Sequence, residues 1–372
     1  MQKNWVSTGL MSGTSGDGVD VSIIRTNGIN QYESISDKYF EYDADIYKDI
    51  HNLKDKIHKI EHLETFKNEI NHLERKITIF HAEIIKKLKI NNDTIIGFHG
   101  QTIYHNPEEK ISRQLGNGKL LNQLTNKNIV FNFRKNDILN GGQGAPLTPV
   151  FHYLISMQNK IKLPVCFLNI GGISNITIVK KSENFSELIS KDIGPGNCLI
   201  DNWVRKNSSK KYDKNGLIAA SGTRNEIIFE QAQELYMNRT NKKKLSFDTN
   251  DFDISFIRGL SFEDGVTTLT DFTASIISEE LILSIKNSKD KIKDILLCGG
   301  GRKNKILLNK IQENLSTNIN LKLIDDYEID GDFVESQAFA FLAVRSIQQL
   351  PISFPNTTGC KVPSTGGELI KN

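Results

Sequence analysis

The sequence predicts an α/β protein made of two related domains, and three observations predict it. Strand and helix patterns alternate through both halves of the chain. A strand, a Gly/Ser turn and a second strand over residues 5–25 recur in outline over 164–179. The length, 372 residues at about 150 per domain, favours two domains. The boundaries fall at 1–146 with 345–372 for the first domain and 147–344 for the second.

The elements follow in order. Residues 5–10 and 19–25 are rich in β-formers and read as strands joined by Met11-Ser12-Gly13-Thr14-Ser15-Gly16-Asp17-Gly18. Over 46–88, apolar residues from Ile46 to Leu88 recur at steps of three and four, the helical period. One helix of that length, at about 1.5 Å per residue, would outrun a domain, and the stripe slips near Leu63. Two helices packed on one face are therefore expected, with the five histidines from His51 to His81 on their surface. Strands are expected at 94–98 and 128–133. Pro164 to Asn169 opens the second hairpin, which turns at Ile170-Gly171-Gly172-Ile173-Ser174 and returns through Asn175 to Val179. Lys206 to Asn215 reads as a solvated loop, and 223–238, 267–287, 302–315 and 334–349 as helices.

Bulk properties exclude several classes. Lys+Arg 47 against Asp+Glu 44 leaves +3, too little to argue for nucleic acid or an anionic membrane. No stretch approaches the roughly 18 apolar residues of a membrane span. Met1-Gln2-Lys3-Asn4-Trp5 reaches a glycine turn too soon for a signal peptide, so a cytoplasmic location is expected. Cys166, Cys198, Cys298 and Cys360 form no C-x-x-C pair and read as buried thiols. All eight histidines precede residue 153, so a base in the second half must be a carboxylate or another group.

Glycine placement carries the functional signal. Eighteen of the 27 glycines lie in clusters at 9–18, 97–100, 116–118, 141–144, 171–172, 194–196 and 299–301. The turn 13–18 offers backbone N–H groups, two hydroxyls and Asp17, a nest suited to phosphate oxygens, with Asp17 or Asp20 able to hold a magnesium water. A tight hairpin with no ligand explains the same residues. Neither G-x-x-x-x-G-K-[ST] nor G-x-G-x-x-G occurs, which excludes a P-loop or an ordinary Rossmann enzyme. Leu296-Leu297-Cys298 runs into Gly299-Gly300-Gly301 ahead of a helix, bare backbone on which a flat ligand could lie; Asn304 could contact it or cap the helix. Asp192 before Gly194-Pro195-Gly196-Asn197 is suited to present one acid from a turn, although an Asp there also serves as a cap. His99, Gln101, Thr102 and Gln143 sit beside glycines as the neutral donors and acceptors that recognise sugars, and His99 also suits a structural role. The cluster at 116–118 has no assigned role.

Taken together, these segments resemble the ATPases of the actin, heat-shock chaperone and hexokinase superfamily, and most closely the anhydro-N-acetylmuramic acid kinase family. The resemblance runs over almost the whole chain through MSGTSGDGVDV (11–21), FHGQT (98–102), NFRKND (132–137), GGQGAPL (141–147), NIGGISN (169–175), DIGPGNCLID (192–201), TLTDFTA (268–274), CGGGRKN (298–304) and ESQAFAFLA (335–343). It implies two actin/hexokinase-like, ribonuclease H-like domains with a central ATP/sugar cleft. The first domain would carry sugar and phosphate contacts, the second the catalytic Asp and the adenosine loop. The implied reaction opens the 1,6-anhydro bridge of anhydro-N-acetylmuramic acid with water while ATP phosphorylates O6, giving N-acetylmuramic acid 6-phosphate in cell-wall sugar recycling.

On the same resemblance, Asp192 would be the base that activates water. Gly13, Thr14, Ser15, Gly16, Asp17, Gly18, Val19, Asp20, Gly171, Gly172, Gly299, Gly300, Gly301 and Asn304 would bind ATP. His99, Gln101, Thr102, Arg134, Gln143 and Asn197 would bind the sugar. Mg²⁺ would come with ATP, with Asp17 or Glu335 as protein ligands. The partners implied are ATP and a small amino sugar, without nucleic acid or membrane; a homodimer is left open. The sequence departs from the family at Gly16, where a large apolar residue is common, at Asn132, where Asp is usual, and over Lys244 to Asp248, onto which no function is carried. Two other readings remain: another sugar kinase of the same fold, and a nucleotide-switched binding protein, for which 372 residues leave no room for a peptide-binding domain.

Overall fold

The computed structural model describes residues 3–182, 184–238 and 245–372; Met1, Gln2 and Lys244, named above, lie outside them. The chain divides into two compact units, residues 1–161, 182–189 and 332–372 in the first and 162–181 and 190–331 in the second. Helices Pro149–Gln158 and Val334–Ile347 belong to the first unit, where the sequence boundaries had counted 147–344 with the second. The reason is packing: helix Val334–Ile347 lies across the sheet of the first unit.

That sheet contains β1 (Trp5–Ser12), β2 (Gly18–Thr26), β3 (Tyr32–Glu41), β4 (Ile95–Asn106), β5 (Ile111–Leu115) and β6 (Asn128–Phe131). Its order is β6-β4-β1-β2-β3, with the C-terminal strand Glu368–Ile370 beyond β6 and β5 paired to β4. β1 is antiparallel to β2 and parallel to β4. The second unit contains β7 (Val165–Ile170), β8 (Ile173–Val179), β9 (Ile189–Pro195), β10 (Asp294–Cys298) and β11 (Asn320–Leu323), in the order β11-β10-β7-β8-β9. Again the first strand is antiparallel to the second and parallel to the fourth. Counted within its unit, the second sheet reads third, second, first, fourth, fifth, and the first reads third, second, first, fourth, sixth, its fifth strand being an addition paired to the fourth. The repeated hairpin in the sequence is thus the start of a repeated α/β sheet.

Five strands escaped sequence reading: β3, β5, β9, β11 and the C-terminal strand. β3 is an edge strand whose residues Glu33, Ser34, Ile35, Lys38 and Tyr39 face solvent, so it lacks an apolar run. β5 and the C-terminal strand are short. The 46–88 stretch forms helices Ala44–Lys54 and Lys67–Leu88, with a short turn of helix at Glu61–Thr65 between them. Two helices packed on one face were expected, and the break lies at residues 55–60, ahead of Leu63. Ile50, Leu53, Ile70, Leu73 and Ile77 from these helices share a buried core with Leu10, Val21, Ile96 and Phe98 of the sheet. His81 corrects the surface reading of the histidines. It is fully buried, its ring 4.9 Å from that of Phe98, and burial lowers its pKa to about 4.

The opposite face of the first sheet is covered by helix Val334–Ile347, and two glycines make the approach possible. Gly9 of β1 and Gly97 of β4 stand side by side in the parallel ladder. A methyl group on Gly9 would collide with the backbone carbonyl of Ser336, and one on Gly97 with that of Phe339. Ser7 Oγ donates to the Ala340 carbonyl at 2.8 Å across the same seam. The glycines at 116–118 also have packing roles, Gly116 lying on the Phe98 ring and Gly118 on Phe131.

In the second unit, helix Phe262–Ser288 is the central support. Its N-terminus is capped by Ser261, and Val266, Leu269, Phe272 and Ile276 pack with Leu199, Trp203 and Val204. Both predicted glycine-to-strand units are therefore backed by buried apolar helix faces. Replacing Gly97 by Val should destabilise the first unit by about 3 kcal/mol, because backbone rather than a flexible side chain must move. A lower midpoint in urea denaturation than that of the unsubstituted protein checks it.

Candidate active site

The turn after β1 is held mainly through its carbonyl groups. Gly13 C=O accepts from Gly16 N–H at 3.2 Å and from Gln101 Nε2 at 3.0 Å. Thr14 C=O accepts from Lys54 Nζ at 2.6 Å, and Asp17 C=O from Tyr42 N–H at 2.9 Å. Ser15 Oγ donates to Asp17 Oδ1 at 2.6 Å. The amide groups of Thr14 and Ser15 donate to no acceptor among the described residues. A side chain on Gly13 would meet nothing closer than Ser15 Oγ at 3.8 Å. The turn thus turns its negative dipole ends toward protein donors and leaves amide N–H groups beside open space, which suits an anion. Gly16 takes φ +64°, and its Cα faces Ile50, so a large side chain in its place would need the helix to shift. Val19 and Asp20 lie in β2, Val19 fully buried and Asp20 paired with Met11 and Tyr39.

A second cluster forms where β4, the segment after β6 and the 141–144 loop meet. His99 Nδ1 lies 2.8 Å from the Gly100 carbonyl, which can only accept, so Nδ1 carries the proton. Nε2 then accepts from Arg134 Nη2 at 2.9 Å and Nε at 3.2 Å, while Arg134 Nη1 donates to Gly144 C=O at 2.8 Å. Burial, with the guanidinium beside it, holds the His99 pKa well below the usual value, so the ring is neutral at pH 7. Burial raises the Glu335 carboxyl, and Arg134 pulls it back down. Asn132 precedes this arginine at φ +55°, a left-handed conformation that Asn tolerates better than most residues. It also explains why the strand expected to reach 133 ends at Phe131.

The 141–144 loop is built on a residue that the sequence reading did not single out. Asp137 is fully buried; it accepts from Gly144 N–H at 2.7 Å and from Thr358 Oγ1 at 2.6 Å. Gln143 N–H donates to the Thr358 carbonyl at 2.8 Å. Gln101, expected among sugar contacts, is fully buried and donates to the phosphate-type turn instead. Thr102 accepts from Gln114 Nε2 at 3.1 Å.

In the second unit the turn Gly171–Gly172 docks on residues 196–198. Gly196 N–H and Cys198 N–H donate to Gly172 C=O at 2.9 and 3.1 Å, and Asn197 N–H to Gly171 C=O at 2.8 Å. Asn197, expected at the sugar, therefore ties two glycine turns together and leads into helix Cys198–Asn207. Gly300 has nothing within 4 Å of the position a Cβ would take, whereas Gly301 lies hard against Ile170. Of the three glycines, Gly300 is the one whose missing side chain leaves room for a ligand. Arg302 fixes the turn through Asp325, with two bonds of 2.8 Å, and through Asp330 at 3.2 Å. The guanidinium holds the Asp325 carboxyl below its ordinary value. Asn304 Oδ1 accepts from Leu307 N–H at 3.1 Å and caps helix Lys305–Asn314.

Asp192 lies within β9, not on the turn that the sequence suggested. It is 8% exposed, and its Oδ2 accepts from Phe247 N–H at 2.7 Å. Its own N–H donates to Leu245 C=O at 2.8 Å. The described part of the divergent 244–248 segment thus grips this carboxylate with backbone groups, a contact with no side-chain signature in the sequence.

A family model described as anhydro-N-acetylmuramic acid kinase matches residues 6–372. A protein of that name from Pelagibacter ubique is 57% identical over 100% of both chains. Those from Agrobacterium fabrum and Zymomonas mobilis are 34% and 36% identical, covering 98% of this chain and 98% and 99% of theirs. Among solved structures, component A of (R)-2-hydroxyglutaryl-CoA dehydratase from Acidaminococcus fermentans overlaps 92% of this chain and 99% of its own at 12% identity. Its TM-score is 0.45. With its motifs matched in order from end to end, the chain belongs to the anhydro-N-acetylmuramic acid kinase family.

Proposed function

We infer that this protein converts 1,6-anhydro-N-acetylmuramic acid, ATP and water to N-acetylmuramic acid 6-phosphate and ADP, a step in the recycling of cell-wall sugar. The observation that carries the chemical reading is Asp192, a nearly buried carboxylate held at Oδ2 by Phe247 N–H and set in the unit that holds the glycine turns. Water is a weak nucleophile, and a positioned base contributes about 10²–10⁴-fold. Asp192 accepts a proton from water as the water oxygen bonds to C1. The C1–O6 bond breaks, and O6 takes the γ-phosphoryl group as the bond to the ADP oxygen breaks. Anhydride opening therefore generates the oxygen nucleophile that phosphoryl transfer consumes.

The phosphate chain fits the turn 13–18, where Thr14 and Ser15 present amides and Gly13 leaves space. The adenosine fits the bare backbone at Gly300, with Gly171, Gly172, Gly299, Gly301 and Asn304 shaping that wall. Neutral His99, Arg134, Thr102 and Gln143 suit an amino sugar that carries a carboxylate. Gln101 and Asn197 support their turns, and their part in sugar binding is indirect. Among the described residues no cluster of three metal-ligating side chains occurs. Mg²⁺ binds through one or two carboxylates together with phosphate oxygens and water. Asp17 would hold it at the turn, with Glu335 the other carboxylate of the first unit proposed for it, and the ion would neutralise phosphate charge. A reaction that draws on ATP belongs in the cytoplasm.

A kinase acting on a free hydroxyl would need no water in its products. With ¹⁸O-labelled water, mass spectrometry should find one label on C1 of the sugar phosphate; unlabelled product would overturn the hydrolytic step. Asp192→Asn should lower kcat by about 10²–10⁴-fold while ATP affinity by calorimetry stays within about twofold. Retained turnover would remove Asp192 from the role of base.

A further inference from the structure

The described residues offer one charged contact to the phosphate-type turn that no motif of the sequence contains. Lys54 is the last residue of helix Ala44–Lys54, and its Nζ donates to Thr14 C=O at 2.6 Å. Three carbonyls of this turn accept bonds from the surrounding protein, by Gln101 Nε2 to Gly13, Lys54 Nζ to Thr14 and Tyr42 N–H to Asp17. Gln101 is fully buried and Tyr42 nearly so, and Ile50 of the same helix packs beside Gly16. The turn therefore cannot rotate a carbonyl outward without losing one of these partners.

We propose that Lys54 is a positioning residue for the polyphosphate of ATP. It rests on the reading of residues 13–18 as the phosphate turn, and it adds two things to that reading. By taking the Thr14 carbonyl, Lys54 fixes the Thr14–Ser15 peptide plane, so the Ser15 amide, trans to that carbonyl, points away from the lysine; the Gly13 carbonyl, held by Gln101, does the same for the Thr14 amide. Its ammonium also puts a positive charge behind a turn that already contains the Asp17 carboxylate. Without that charge, a polyanion would meet Asp17 across a polar but uncharged backbone. The attraction is charge-assisted and short, the class of hydrogen bond roughly twice as strong as a neutral one. Gln101 and Tyr42 hold their carbonyls with neutral donors; Lys54 alone of the three supplies charge, so its removal separates charge from loop shape.

The test is steady-state kinetics with MgATP and the anhydrosugar varied in turn. Lys54→Met keeps the stem length and removes the charge and donor. It should raise KM for ATP about tenfold, with KM for the sugar within about twofold. Lys54→Arg, which restores a cation and donor, should recover most of that loss, a rescue that a packing role for the stem would not show. Lys54→Met with an unchanged KM for ATP would overturn the proposal, as would an equal loss in Lys54→Arg. Gly13→Val runs alongside, since its side chain enters open space rather than the core. If Gly13→Val raises KM for ATP and Lys54→Met does not, Lys54 alone is dismissed. If neither variant changes it, the phosphate reading of the turn falls with it. Calorimetric binding of ADP to each variant, with melting curves to show that it is folded, separates a binding loss from unfolding.

Discussion

Backbone-to-backbone packing of helix Val334–Ile347 on Gly9 and Gly97 is the constraint on which the first unit depends. The two glycines lie abreast on neighbouring strands, so the helix comes down between side chains instead of resting on them. Close packing of this kind fixes the helix along its axis as well as its distance from the sheet. Ser336 and Phe339, whose carbonyls sit on the glycines, then place their neighbours. Glu335 comes within the electrostatic reach of Arg134, and the Phe339 ring stands 4.5 Å from that of His99. Ser336 Oγ also meets Ser22 Oγ at 2.6 Å on β2. One seam thus sets the helix, the strand that leads into the phosphate-type turn and the cluster around His99.

Both units begin with the same hairpin, yet they secure its turn by different means. In the first, side chains do most of it: Gln101 and Lys54 reach the carbonyls of Gly13 and Thr14. In the second, the start of helix Cys198–Asn207 does it, with three consecutive amides bonded to the carbonyls of Gly171 and Gly172. Those amides are the donors that a helix N-terminus would otherwise offer to an anion. They are spent on protein, while the turn of the first unit keeps the amides of Thr14 and Ser15 for a ligand. The repeated topology therefore does not imply repeated function. It supplies two similar frames, one suited to phosphate and the other to bare-backbone contact and a held carboxylate.

Much of this was legible from residues that must carry a specific chemistry. The hairpins, the glycine clusters and the helix Val334–Ile347 announce themselves through composition or period, whereas Asp192 drew notice beside its glycine turn and took its proposed role from the family resemblance. What escaped did so for physical reasons. Lys54 sits at the end of a helix whose apolar stripe dominates its pattern, and a lysine on a polar face reads as solvent-exposed. Asp137 closes the polar run Arg134-Lys135-Asn136-Asp137, where nothing in the sequence marks it, and only the fold buries it under Gly144 and Thr358. β3 is an edge strand without an inward apolar face along most of its length. His81 was misread because a buried ring with one backbone bond carries the same letter as a surface ring.

The grip on Asp192 is made by backbone groups, in a segment whose side chains depart from the family motif. Residues 244–248 depart from the family pattern, and a reading based on side chains carries nothing onto them. Yet the segment supplies Leu245 C=O to the Asp192 amide and Phe247 N–H to its carboxylate. Every residue except proline has both groups. What the segment must keep is its path beside β9, and the Phe247 ring, 5.5 Å from that of Phe252, helps to hold that path from the apolar side. The contact to the carboxylate therefore depends on where the backbone runs and not on which side chains the segment carries.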